Sequence, residues 1–367
     1  MTSNHSFRCS TCNSVLLFSP SQGGLRCTHC QAVEVPKKST LAVSERDLLA
    51  QLSSHHRADG PTLAELPKSQ SARCKECGAT VVFPAHITAR VCAFCGSPSV
   101  LPQKDPTQSL RPESIIPFSV DKQKAKALMG TWARSLRFRP ADLIRASQAE
   151  RLIGIYIPHF TFDAHVDSSW TAKAGFDYSE TEEYEETVDG QTVRKTREVR
   201  KIRWEDRSGT RSDDYDDLLI CAGRGLPPGL ADSVSNFQTR ALVPYAPDYL
   251  AGFFAEDLAM GLAEGWKRGE SSIRWLQERR CAFDVGGDHQ ADLRVESSLS
   301  NLTYKAVLLP FWLATYRYRE RSYRVLINGQ TGRIDGESPK SFAKVGLWLV
   351  LLVLAAVVLY GLWTTYF

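Results

Sequence analysis

Residues 73–96 read RCKECGATVVFPAHITARVCAFCG, two Cys-x2-Cys pairs (Cys74/Cys77 and Cys92/Cys95) separated by 14 residues. The same arithmetic occurs upstream at Cys9, Cys12, Cys27 and Cys30, at an offset of 65 for all four positions. Flanking residues align too: Arg8 with Arg73, and VLLF (15–18) with TVVF (80–83). This is an internal repeat. Four thiolates at about 2.3 Å satisfy tetrahedral zinc, and four protein ligands close the site, which reads as structural rather than catalytic. The residue after each knuckle favours a left-handed backbone, which Gly and Asn tolerate. Asn13, Gly78 and Gly96 fit that need, whereas Gln31 departs from it and predicts a looser first site. TVVFP is β-rich and QGGL is a turn signal, so each copy reads as two short strands around a metal, a zinc ribbon. A redox Cys-x2-Cys stands alone near a βαβ unit, and four matched pairs do not resemble it. Iron fits the same sulfur geometry and stays open. His29, inside CTHC, is a bystander to a complete ligand set. Cys221 and Cys281 are left over as plain thiols.

Outward from the cysteines, 367 residues allow two or three domains. With 45 Lys and Arg against 41 Asp and Glu, the balance is not that of a general polyanion binder. The start, MTSNHSFRCS, lacks the apolar core of a secretory signal. Residues 345–367, beginning VGLWLVLLVLAAVVLYGL, form a 23-residue run without charge or polar face. About 20 such residues span a bilayer as a helix. Phe342 and Trp348 stand at one end, Tyr360, Trp363 and Tyr366 at the other, as an aromatic belt requires. Lys340 and Lys344 precede the run and no charge follows it. The expectation is a single-pass tail anchor in the cytoplasmic (inner) membrane, with the N-terminus in the cytoplasm. Reduced cytoplasmic thiols agree with metal ligation rather than disulfides.

The fold expected is multidomain: two small four-cysteine zinc ribbons (1–36 and 71–104), a polar linker with a short helix (37–70), an α+β domain rich in antiparallel strands (105–340), and one C-terminal transmembrane helix (341–367). In the linker, SERDLLAQLSS suits a short helix capped by Ser44, and the rest reads as tether, leaving the ribbons as separate beads. DKQKAKALMGTWARSLRF (121–138) has helical apolar spacing. From Asp121 to Arg151 eight Lys or Arg face three acids, a net of +5; this is a solvated helix face, with anionic lipid headgroups as the sharper alternative. IYIPHFTFDAHVDSSW (155–170) alternates as a strand, with His159, Thr161, Asp163, His165 and Asp167 on one face. That face is either plainly polar or a second metal or acid/base cluster. Asp189-Gly190 is a hairpin turn that sets Glu185 opposite Arg194 and Glu182 opposite Arg197. RKTREVRKIR is thereby one side of a charge-paired ribbon rather than a nucleic-acid arm. RSDDYDD (211–217) is acidic without a calcium-loop pattern. PDYLAGFFAEDLAMGLAEGWKRG (247–269) reads as a helix opened by Pro247, followed by a second over 271–282. Residues 304–337 read as long strands joined by RERS and NGQTG, and VLLPFWLATY resembles GIYIPHFTFD in being a strand broken by a proline. There is no G-x4-G-K-[ST] loop, no G-x-S-x-G elbow and no H-E-x-x-H, so no motor or catalytic signature.

Beyond the ribbons, the chain carries YIPHFTFDA (156–164), RW (203–204) followed by SG and DDLL, DYLAGF (248–253), DVGGDHQ (284–290) and LLPFWLATYRY…YRVLINGQTGRIDGE (308–337). On these it resembles a family of bacterial membrane-anchored tandem zinc-ribbon proteins, some encoded beside phage-shock-type and SPFH-domain membrane-stress proteins. The resemblance implies an anchoring or adaptor role and no enzyme activity. Relatives labelled primosomal protein or superfamily II helicase take that label from the zinc ribbon, since a motor motif is absent here. The site residues expected are the eight cysteines, holding two structural Zn2+. The partners expected are the bilayer through 345–367 and a cytoplasmic protein, with no small-molecule substrate. Nucleic acid is the alternative partner, but Arg73, Lys75 and Arg90 against Glu76, with Arg8 and Arg26 in the first copy, form a thin basic surface. An enzyme using His159, Asp163, His165 and Asp167 ranks last.

Overall fold

The computed structural model describes residues 7–36, 43–53, 69–75, 79–84, 92, 94, 100–103, 112–140, 151–188, 191–227, 229–258, 260–319 and 321–366. The first cysteine repeat forms a small antiparallel sheet of β1 (Leu16–Ser19), β2 (Gly24–Cys27) and β3 (Val33–Glu34). The linker then gives β4 (Arg46–Asp47) and α1 (Leu48–Ser53). Its cap is Asp47, whose Oδ1 accepts the Ala50 N–H at 2.7 Å, rather than Ser44. The second repeat contributes β5 (Ser69–Cys74), β6 (Thr80–Pro84) and β7 (Val100–Gln103), followed by β8 (Ser114–Ile115) and α2 (Lys122–Ser135), capped by Asp121.

The next two strands are very long. β9 (Arg151–Val188) and β10 (Gln191–Cys221) form one hairpin whose register sets Arg194 opposite Glu185 and Arg197 opposite Glu182, as expected. The Asp189-Gly190 turn itself lies outside the described residues. After a short helix α3 (Leu230–Ser233), β11 (Val243–Pro244) and β12 (Phe254–Glu256), the chain forms α4 (Leu262–Val285), β13 (His289–Tyr318), β14 (Arg321–Asn328), β15 (Ile334–Gly336) and α5 (Phe342–Tyr366). The helix expected over 247–269 does not form as such. Pro247–Leu250 makes only a 3-10 turn, Gly252 at φ 89° breaks the backbone, and β12 follows. One continuous helix then runs through 271–282 instead of starting anew.

Among the described residues one sheet holds 12 strands, with β13 and β9 at its centre. Neighbours change along their length. β9 is flanked by β12 at 155–156 and by β10 from His159; β13 is flanked by β8 at 307–308 and by β14 from Phe311. Pro158 and Pro310 sit in the gaps where one neighbour ends and the next begins, so their missing N–H groups break no ladder. The two resembling segments are antiparallel partners related about the Ile157–Leu309 pair.

The ribbons are not separate beads. Leu16, Phe18 and Leu25 share one core with Tyr156, Phe253 and Trp312, and the Phe18 ring meets Tyr249 edge-on at 5.4 Å. β6 joins the main sheet through β12, and β4 pairs with Thr303–Tyr304 of β13. The reason lies in area: a ribbon this small buries too little apolar surface alone and gains by packing it on a neighbour.

Candidate metal centre

In the first repeat, the strand pair β1–β2 and two knuckle turns bring the Sγ atoms of Cys9, Cys12, Cys27 and Cys30 within 4.8 Å of one another. Cys9 lies 3.5 Å from Cys30, and Cys12 lies 3.4 Å from Cys27. A tetrahedron with metal–sulfur bonds of about 2.3 Å places sulfurs about 3.8 Å apart, so the four thiols fit zinc with little adjustment. Asn13 at φ 57° and Gln31 at φ 64° both take the left-handed turn. Gln31 therefore adopts the conformation its type disfavours, and the first site is complete rather than loose. Burial pushes the Cys27 thiol up, but the N–H groups of His29 and Cys30, each 3.4 Å from its sulfur, prevail and bring it down to about 6. Thiolate stabilisation of this kind is what a metal ligand needs. Glu34 clamps the knuckle from β3: its Oε1 accepts the Ser10 N–H at 2.8 Å and hydroxyl at 2.9 Å, which holds its carboxyl below the ordinary value. His29 is exposed and outside the ligand set.

The second repeat reproduces this framework wherever it is described. Cys74 N–H donates to Ala79 O at 2.9 Å, as Cys9 N–H donates to Ser14 O at 2.8 Å. Phe94 N–H donates to Cys92 Sγ at 3.4 Å, as His29 N–H does to Cys27. Cys74 and Cys92 are buried in one cluster, while Cys77 and Cys95 lie outside the described residues. The two copies differ in what surrounds them. Phe94 is fully buried against Gly225, and its carbonyl accepts the Thr315 hydroxyl at 3.2 Å. The matching His29 faces solvent. The second knuckle is thus plugged into the domain, while the first presents Cys12, His29 and Cys30 outward.

The polar face of β9 does not gather into one site. His159 is buried, stacked on Phe311 with ring centroids 5.7 Å apart, and its Nδ1 bonds Ile157 O at 3.0 Å. His165 lies further along, 2.6 Å from Asp214 and 3.5 Å from Asp167. The Asp214 hydrogen bond raises its affinity for a proton. Asp163 instead accepts the Asp217 N–H at 2.5 Å and the Thr303 hydroxyl at 2.7 Å. Carboxylate oxygens of Asp163, Asp216 and Asp217 come within 4.8 Å of one another. The cation among them is Lys305, whose Nζ stands 2.8 Å from Asp217 and 3.2 Å from Glu45. Burial pulls Lys305 toward neutrality, but Asp217 and Glu45 outweigh it and hold the ammonium charged. Sequence reasoning missed this cluster. Its signal was one lysine inside the apolar stretch TYKAVLLPFW, matched in charge by the acids of 211–217.

No family model matches the chain, and no solved structure matches it. It is similar to the protein YdjG of Bacillus subtilis (strain 168), described as uncharacterized: 24% identical over 244 residues, covering 65% of this chain and 67% of that one.

Proposed function

We propose that the protein is a non-enzymatic, membrane-anchored zinc-ribbon scaffold. In this reading Cys9, Cys12, Cys27 and Cys30 hold one structural zinc, and Cys74, Cys77, Cys92 and Cys95 a second. α5 crosses the inner membrane once, with Lys340 and Lys344 keeping residues 1–344 in the cytoplasm. Phe342–Trp363 is long and apolar enough for that, about 33 Å as a helix, and its described side chains are exposed. The observation that carries the reading is the division between the two knuckles. One is spent on packing, and the other, with its four thiols gathered, is left facing solvent as a rigid surface for a cytoplasmic protein. The resemblance to a zinc-ribbon family, some of whose members are encoded beside membrane-stress proteins, agrees with an adaptor role.

Proximity labelling from the native membrane tests this reading, comparing the wild type with Cys12→Ser/Cys30→Ser. The expected result is one set of cytoplasmic proteins labelled by the wild type and lost in the variant. An unchanged set would remove ribbon 1 as the docking surface. A salt-dependent DNA affinity abolished by Arg73→Ala, Lys75→Ala and Arg90→Ala would replace the scaffold reading with nucleic-acid binding.

A further inference from the structure

A cleft of about 660 Å³ opens where the β13–β14 turn meets the start of α5. Arg319, Arg321 and Lys340 line it together with Tyr318, Tyr323 and Phe342, and none of its lining residues among the described ones is a carboxylate. Arg319 takes a left-handed backbone at φ 45°, and its guanidinium lies 5.4 Å from the centroid of the Tyr318 ring. Elsewhere several cations are neutralised in pairs, among them Lys201 with Glu180 and Glu182, Arg211 with Asp284, and Arg274 with Glu270. Among the described residues no acid is paired with Arg319, Arg321 or Lys340. The same end of the molecule carries Arg137 and Arg139 on either side of Phe138. That ring meets Trp348 of α5 edge-on at 6.1 Å, and the Phe138 carbonyl accepts the Ser341 N–H at 2.7 Å. The first turns of α5 are therefore tied to the domain, and the cleft is held at their base. Phe342 stands at its lip, exposed.

Three cations with no acid paired to them among the described residues, an apolar lip, and a long apolar helix leading away describe a receptor for an amphipathic anion. We propose that this cleft binds the phosphate of an anionic phospholipid, with the acyl chains running along α5. This rests on α5 being a membrane span. Each basic group near an anionic leaflet contributes on the order of 1 kcal/mol, so three convergent ones discriminate strongly against a zwitterionic headgroup. Guanidinium pairs suit the bidentate phosphate geometry, and tyrosine rings suit the interface.

The test uses the full chain, extracted in mild detergent and equilibrated with equal phosphatidylglycerol and phosphatidylcholine, with retained lipid counted by native mass spectrometry. The wild type is expected to retain phosphatidylglycerol, and Arg319→Gln/Arg321→Gln/Lys340→Gln to lose on the order of a hundredfold in affinity for it. Arg319→Lys/Arg321→Lys, which keeps the charge but loses the bidentate fork, should fall between the wild type and the triple Gln variant. Equal retention by the triple Gln variant overturns the site. Displacement of the lipid by millimolar inorganic phosphate also overturns it, since the ligand is then a free anion. Alkaline carbonate extraction of native membranes separates the span from the cleft. A chain released by carbonate refutes the span itself, whereas a chain that stays while the Gln variant still holds lipid refutes only the cleft.

Discussion

A neutral imidazole can stack on Phe311 in a dry strand interface; an imidazolium cannot without losing its hydration. Burial accordingly holds His159 down to about 4, with its Nδ1–H donated to Ile157 O. The unfolded chain titrates near 6.5, so below that value the unfolded state binds more protons than the folded one. Stability from this group is complete above about pH 6.5 and is lost as pH falls toward 4, by about 2 kcal/mol between pH 6.5 and 5. His159→Leu should abolish that component. Urea unfolding at pH 7 and pH 5 is expected to show a smaller acid loss in the variant by about that amount; an identical loss in both would assign the proton elsewhere. The thiol ligands also titrate in acid, which is why the comparison is between variants rather than between pH values alone. His159 also marks where sequence reasoning fails at this scale. The alternation of β9 correctly places His159, Thr161 and Asp163 on one face. It does not reveal that this face is covered at His159 and wet at His165, because burial depends on neighbours that enter from β10 and β13. The cysteines were legible for the opposite reason: a closed four-cysteine site draws all its ligands from within some 25 residues, so spacing alone specifies it.

At the level of elements, α4 lies unusually close to the sheet. A Cβ at Gly265 would stand 2.6 Å from the Phe160 ring, and one at Gly269 would stand 2.7 Å from the Phe162 ring. Gly to Ala in a helix interior ordinarily stabilises by up to about 1 kcal/mol. At Gly265 and Gly269 the sign should reverse, with overpacking costing about 1–3 kcal/mol. Gly130 in α2 supplies the control: its Cβ would meet only the Arg134 guanidinium at 3.6 Å, so Gly130→Ala should follow propensity and stabilise. Chemical denaturation of the three variants checks both signs, and a stabilising Gly269→Ala would mean that the helix can lift from the strand. A second prediction comes from the docked ribbon. Leu16, Phe18 and Leu25 share a core with Trp312, so stripping metal should lower the unfolding temperature reported by tryptophan fluorescence of the sheet domain. An independent ribbon would leave that temperature unchanged. Hairpins were legible because turn chemistry and register are local. The break at Gly252 was not, because β12 exists only where β6 and β9 offer it partners. The docking of β4 was equally hidden, since a two-residue strand has no pattern of its own.

On the scale of the whole molecule, register turns these elements into a device with two ends. β13 finishes at Tyr318, beside the base of α5, and begins at His289, opposite Gly175 of β9. At about 3.3 Å per residue, its 30 residues run on the order of 100 Å between those ends, less what twist and bulges remove. Both ribbons sit toward the α5 end, where Phe94 meets Thr315 and the first ribbon's core includes Tyr316. α4 covers the sheet as far as Val285, which packs with Ala174, and the chain then turns through Gly286 and Gly287. A Cβ at Gly287 would meet Gly175 O at 2.9 Å, so the turn fits tightly against β9 where the helix support ends. Among the described residues, only the β9–β10 hairpin continues beyond Gly175. It holds its shape through cross-strand ion pairs such as Lys201–Glu180 and Lys195–Glu186, with Tyr178, Tyr184 and Trp204 exposed. Its charged edges discourage edge-to-edge pairing with other chains. An arm that packs on nothing contributes reach rather than stability. Deleting residues 179–200 and joining Tyr178 to Lys201, which are register partners, through Asn-Gly removes 10 residues from each strand. The longest dimension in small-angle scattering should then fall by about 33 Å. Zinc content and the unfolding midpoint should stay at wild-type values, because the cores that hold the metal and the sheet together lie at the other end. An unchanged dimension would show that the arm folds back on the body. A lowered midpoint would show that it carries part of the fold, and either result would rule out a hairpin that reaches freely from the end that holds α5.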